Sequence, residues 1–305
     1  MNGVIVVDKP SGWTSHDVVN RVRRILGQRS VGHLGTLDPL ATGVLPLVTG
    51  GFTRLAQFYT ASEKSYEGVI RFGFATTTYD VEGEREPAEE AVAADAFLKS
   101  PELNLQRLRE LSAEFTGVIE QMPPPFSAKK IHGVPAYKLA RKHKEVELKA
   151  VKVEIKEFEI SEVEGGRARF HARVSSGTYM RSVAHDLGRR VGCGAHLESL
   201  RRTAVAEFEI SKAHPLEAIE KSGEIEALFV HPRELLPKLP SVTADEATTA
   251  RIRNGRPVNL PELSRARQVK VFAGQSELLA IATRVAGSLF HPGIVFVREM
   301  EKARF

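Results

Sequence analysis

Residues 167–174 read Arg-Ala-Arg-Phe-His-Ala-Arg-Val, an unbroken alternation of Ala168, Phe170, Ala172 and Val174 with Arg167, Arg169, His171 and Arg173. Side chains alternate across a strand, so this segment must lie in a sheet with one face on a core and a basic face outward. Residues 65–74 behave similarly, with Tyr66, Ile70, Phe72 and Phe74 on one side. Helical spacing is equally clear elsewhere. Val18, Val19, Val22, Ile25 and Leu26 follow Thr14 and Asp17, a capping-box pair, and predict a helix over 15–26. Asn104 precedes Leu105, Leu108, Leu111 and Phe115 and predicts a second. A third is predicted over 178–191, with Met180, Val183, Ala184, Leu187 and Val191 buried and Arg181, His185, Arg189 and Arg190 on the other face.

The 305 residues suggest two domains, a large mixed α and β domain at 1–230 and a small, mostly β domain at 231–305. Pro232, Pro237 and Pro240 mark the join. Thr243 with Glu246 predicts another capping box, Asn254-Gly255 ends that helix, and strand-like runs follow at 268–272, 278–283 and 294–297. No apolar run approaches the roughly 20 residues that span a bilayer. The N-terminus reads as a strand, not a signal peptide. The lone Cys193 cannot form an internal disulfide, which fits a reducing cytoplasm. The net charge of +5 is too weak to name a partner, so its distribution matters more. Residues 80–100 hold seven acids, including Asp80, whereas 127–152 carries eight bases, among them Lys129, Lys130 and Arg141. With the basic face of 167–173, this segregation fits phosphate neutralisation on one side of the molecule.

Between Gly27 and Gly51 periodicity vanishes, and Pro39, Pro46 and six glycines predict a long loop. Asp38 precedes a proline there, which biases it to extended geometry. Read alone, it is either a turn residue bonding its own backbone or a working carboxylate. No phosphate loop is present.

The run Gly32-His33-Leu34-Gly35-Thr36-Leu37-Asp38-Pro39-Leu40-Ala41-Thr42-Gly43-Val44-Leu45-Pro46-Leu47 resembles the catalytic motif of the TruB-type tRNA pseudouridine synthases, with Leu34 the main departure. Other islands agree in order. Asp8-Lys9-Pro10-Ser11-Gly12-Trp13-Thr14-Ser15, Lys64-Ser65-Tyr66, Thr76 through Gly83 and Leu200-Arg201-Arg202-Thr203 are similar to family motifs. So are Gln121-Met122-Pro123-Pro124-Pro125-Phe126-Ser127-Ala128, with Phe126 where Tyr is usual, and Ser175-Ser176-Gly177-Thr178-Tyr179-Met180-Arg181, with Ser176 replacing Lys.

The resemblance implies an α+β fold: a catalytic domain with a central, mostly antiparallel sheet flanked by helices, an RNA-gripping insert near 121–152, and a PUA-like C-terminal domain. It implies isomerisation of uridine 55 in the TΨC arm of tRNA, with base flipping, no cofactor and no metal. Asp38 would be the catalytic carboxylate and Arg181 its charge partner. Tyr66 would stack on the uracil, Tyr179 and Leu200 would line the pocket, and His33 would fill space vacated by the flipped base. Lys9, Lys64, Lys129, Lys130, Arg141 and Arg202 are expected on the RNA backbone. The expected partner is the TΨC stem-loop, bound by a cytoplasmic monomer without guide RNA. Rival readings are a non-catalytic RNA-binding module, a guide-dependent relative, and a hydrolase using Asp38 as nucleophile.

Overall fold

The computed structural model describes residues 1–86, 104–126, 130–131, 134–135 and 149–296. The chain forms two compact units: residues 1–39, 43–60 and 206 onward make the first, and residues 40–42 with 61–205 the second. The boundary expected near 230 falls inside the first unit.

The first unit opens with β1 (Gly3–Lys9), α1 (Ser15–Ile25), β2 (Val31–His33), β3 (Thr42–Thr49) and the short α2 (Ala56–Tyr59). The capping box of α1 is present: the Thr14 hydroxyl accepts from Asp17 N at 3.1 Å, and Asp17 Oδ2 accepts from Thr14 N at 3.0 Å. The helix then buries Val18, Val19 and Val22. The long loop expected over 27–51 is corrected, because β2 and β3 occupy much of it and pair antiparallel with each other. Strand β3 also pairs antiparallel with β1 and is buried nearly throughout. Burial on both faces erases the alternation by which a strand is recognised. Pro46 disguises it further, since proline is uncommon inside sheets; its carbonyl still accepts from Leu34 N at 2.9 Å.

The second unit contains β4 (Lys64–Phe72), α3 (Leu105–Ala113), β5 (Gly117–Gln121), β6 (Lys130–Ile131), β7 (Val134–Pro135), β8 (Val151–Glu164), β9 (Arg167–Val174), α4 (Met180–Val191) and β10 (Ala195–Val205). Its sheet runs β10-β4-β9-β8-β5, antiparallel at every step. Helix α3 packs on β8 and α4 on β10. At Gly188 of α4 a Cβ would lie 2.1 Å from Ala195 N, so glycine is what permits that approach. The apolar side of β9 is buried as expected, but the reading of its other side as a basic RNA surface is corrected. Glutamates of β8 and nearby segments balance it: Arg169 pairs with Glu162 at 2.9 Å, Arg173 with Glu157 at 3.6 Å, and Arg167 with Glu198 at 2.7 Å.

The rest of the first unit comprises β11 (Phe208–Glu209), β12 (His214–Pro215), α5 (Leu216–Lys221), β13 (Ser241–Ala244), α6 (Glu246–Arg253), β14 (Val258–Asn259), β15 (Gln268–Ala273), β16 (Glu277–Ala286) and β17 (Leu289–Val295). Strand β12 runs parallel to β1. A five-stranded sheet, ordered β13-β15-β16-β17-β14, encloses a core of Ile252, Val269, Val271, Leu279 and Phe290. The cap of α6 is Asp245, whose Oδ1 accepts from Thr248 N at 2.7 Å, and not Thr243, which lies in β13. Among the described residues no helix is long and apolar enough to cross a membrane.

Candidate active site

Asp38 is half-buried in the turn between β2 and β3, and this turn is held on both sides of it. Before it, the buried Ser15 hydroxyl takes both polar groups of Leu37, accepting from its N–H at 2.8 Å and donating to its carbonyl at 3.1 Å. After it, the Pro39 carbonyl accepts from Gly12 N at 2.9 Å and from Lys9 Nζ at 3.2 Å. Gly12 makes its bond at φ +80°, a conformation that favours glycine. The Asp-Lys-Pro-Ser-Gly-Trp-Thr-Ser island is therefore the bracket of the Asp38 turn. His33 ends β2, and its Nδ1 accepts from Gly35 N at 3.3 Å, closing the turn's first bend.

Lys9 is corrected by this geometry. Its side chain is fully buried, and the ammonium donates to the carbonyls of Pro10, Trp13 and Pro39, so it braces the protein's own backbone. Arg202 is likewise fully buried instead of facing a phosphate. Lys64 is half-buried and donates to the Ser62 carbonyl at 2.7 Å. Burial, and then the nearby Arg202 guanidinium, push its ammonium down to about 8. Lys129 and Arg141 lie outside the described residues; Lys130 is in β6, with its side chain outside them.

In the second unit, Tyr66 is buried on β4, opposite Arg202 of β10, with Leu200 opposite Gly68. The register places Tyr66, Leu200 and Arg202 on one face of the sheet. At Gly68 a Cβ would lie 2.4 Å from the Ser199 carbonyl, so the rung beside Tyr66 must stay without a side chain.

Arg181, expected on the solvent face of its helix, is instead buried at 5% exposure. Its Nη1 lies 3.2 Å from Asp80 Oδ2 and donates to the Thr78 carbonyl at 3.2 Å, while Nη2 donates to the Phe126 carbonyl at 3.0 Å. Asp80 was counted with the surface acids of 80–100 and is 2% exposed, so it is the site residue that sequence reasoning missed. The signal was its place in the Thr76–Gly83 island. Its carboxylate also accepts from Glu82 N at 3.1 Å, closing the turn that carries it. Tyr79, at φ +64°, stacks on His185 one turn along the same helix, with ring centroids 3.8 Å apart. Burial and the Arg189 charge push the His185 imidazole below its ordinary range.

Tyr179 caps α4 with its backbone. Its N–H donates to Gln121 Oε1 at 2.8 Å and its carbonyl accepts from Gln121 Nε2 at 3.1 Å. Ser182 Oγ donates to the Met122 carbonyl at 2.8 Å. Three sequence islands far apart in the chain, 76–83, 121–126 and 175–182, thus close around one guanidinium. Cys193 is buried at the end of α4.

Comparison with known proteins decides the family. The model of the TruB family pseudouridylate synthase N-terminal domain matches residues 23–180, and that of the tRNA pseudouridylate synthase B C-terminal domain matches 181–229. The chain belongs to the TruB family. A TruB relative from Solibacter usitatus, described as tRNA pseudouridine synthase B, is 50% identical over 303 residues, covering 97% of this chain and all of its own. One from Bacillus cereus, with the same description, is 40% identical over 264 residues, covering 84% of this chain and 83% of its own. Among solved structures, a Cbf5-Nop10-Gar1 complex contains a chain 25% identical, with a TM-score of 0.65 over 94% of this chain and 79% of its own. An H/ACA ribonucleoprotein bound to a substrate RNA containing 2′-deoxyuridine gives 0.67 at 22% identity, covering 97% and 85%, a likeness of fold. This TruB-family chain is a pseudouridine synthase of mixed α and β architecture.

Proposed function

We propose that this chain isomerises the uridine at position 55 in the TΨC arm of tRNA, with Asp38 as the catalytic carboxylate. The observation that carries the reading is the two-sided bracket of the Asp38 turn by Ser15, Gly12 and Lys9. Catalysis rewards a reacting group whose backbone is fixed before substrate arrives. In the reaction the C1′–N1 bond breaks, the uracil rotates, and a C1′–C5 bond forms. The C5 proton leaves and N1 becomes protonated, so atoms balance without a redox partner. A carboxylate serves either as nucleophile at the sugar or as the anion that steadies its developing positive charge.

Arg181 is the charge partner that orients Asp38. Tyr66 stacks on the flipped uracil, Tyr179 and Leu200 line its pocket, and His33 fills the vacated space. Lys64, Lys129, Lys130 and Arg141 contact the RNA backbone, and the segment 121–152 grips the stem-loop. The C-terminal five-stranded sheet acts as a PUA-like accessory domain, and the enzyme works as a cytoplasmic monomer without guide RNA. The test is tritium release from an unmodified tRNA transcript labelled at uridine C5, using purified protein alone. Wild type should release tritium and Asp38→Asn should not, while RNA retention on filters survives the substitution. Normal turnover by Asp38→Asn would overturn the reading, and a requirement for added guide RNA would replace it with the guide-dependent one.

A further inference from the structure

Trp13 is the only tryptophan of the chain and is 37% exposed. A single exposed apolar residue is ordinary; two features make this one different. The first is its mounting. The buried Lys9 ammonium donates to the Trp13 carbonyl at 2.6 Å and to the Pro39 carbonyl at 3.2 Å, so one side chain joins the tryptophan to the residue after Asp38. Gly12 N adds a second tie to the same Pro39 carbonyl. The indole is therefore carried on the bracket of the Asp38 turn.

The second feature is its surroundings. Trp13 lines an open recess of about 360 Å³ with Gly12, Asp17, Asn20, Arg21 and Arg24. The charges there divide into used and unused. Asp17 is engaged by Thr14 in the helix cap, and Arg21 pairs with Glu220. Arg24 is exposed and forms no ion pair among the described residues. What remains is an aromatic face beside an uncommitted guanidinium. An apolar ligand would leave the guanidinium unused, and an acidic peptide would leave the indole unused. A nucleotide uses both, its base on the ring and its phosphate on the arginine.

We propose that the recess binds an unpaired nucleotide of the same RNA, close along the strand to the uridine presented to Asp38, with its base stacked on Trp13 and its phosphate on Arg24. The inference rests on the proposed action of Asp38 on RNA. It adds a recognition contact on the first unit, on the segment that leads into α1.

A lone tryptophan makes the test direct. Titrating full-length protein with the unmodified TΨC stem-loop should quench indole emission in parallel with binding followed independently by filter retention. Trp13→Ala should weaken stem-loop binding by roughly 5- to 150-fold, the range expected for one lost stacked base, with the loss in KM and not in kcat. Trp13→Phe should restore most of the affinity. Arg24→Ala should lower the slope of log affinity against log salt by about one, as for one lost phosphate contact. Unchanged emission from RNA-saturated protein would overturn the proposal, as would a Trp13→Ala affinity within twofold of wild type. The wild-type titration needs no variant to fold. Tritium release separates the two readings: quenching without release sinks the proposed reaction, whereas release without quenching sinks only the recess.

Discussion

Asp38 and Arg181 are held in opposite ways. Around Asp38 the protein fixes the backbone of its neighbours: Ser15 takes Leu37, and Gly12 and Lys9 take Pro39. Arg181 is fixed through its own side chain, by the Asp80 carboxylate and the carbonyls of Thr78 and Phe126. The first arrangement positions a group through the backbone on either side of it. The second makes the group part of the fold, so substitutions there should damage stability and activity together. At Asp38 the two effects should separate.

The widest separation is expected at Asp38→Asn. Turnover should fall on the order of a thousandfold or more, while urea unfolding changes by less than about 1 kcal/mol. A large loss of stability would show that Asp38 is as structural as Arg181. Asp80→Ala should show the opposite profile, since it leaves a guanidinium buried without its carboxylate. A loss of about 3–5 kcal/mol in urea unfolding is expected, together with loss of turnover; unchanged stability would mean that the Asp80 carboxylate is not what holds Arg181. Ser15→Ala probes the bracket itself. It removes one hydroxyl that satisfies two buried backbone groups, so about 1–3 kcal/mol should be lost, and kcat should fall without a matching loss of RNA binding.

The smallest effect is expected at Lys64, a charge weakened by burial. Its ammonium titrates near 8 in the folded chain against an ordinary 10.5. Below 8 both states are protonated and the burial penalty is complete; it fades as pH rises from 8 to 10.5, where only the unfolded chain keeps the proton. Lys64→Met should therefore stabilise the protein more at pH 7 than at pH 10. RNA affinity of the wild type should drop across pH 8, and Lys64→Arg should flatten that drop. A pH-independent difference between the two would remove Lys64 from the RNA contact.

Much of this was visible in the residues, and the failures have physical causes. The cap of α1 is local, written by Thr14 and Asp17 three positions apart. The alternation of β9 is local too, and both were legible. Strand β3 was not, because burial on two faces leaves a plain apolar run and Pro46 contradicts it. Arg181 was placed in solvent because a helical wheel assigns charges outward; its partner Asp80 lies far away in the chain. The glutamates that balance β9 come from other strands of the same sheet, so the basic face was real in one dimension and neutralised in two. The cap of α6 fell to Asp245 over Thr243 because β13 runs through Thr243, a tertiary demand that outranks a local motif.

The clamp at Gln121 has a consequence for how this fold can change over time. Gln121 holds Tyr179 with both ends of its amide, and in the ladder it stands directly opposite Val151. The long segment between these two positions thus leaves the sheet and returns to it at one rung. Lengthening such an excursion costs only about 0.6 kcal/mol per doubling, and the pairing of Gln121 with Val151 does not depend on its length. Evolution can rewrite or exchange it while the rung and the buried guanidinium behind it stay in place.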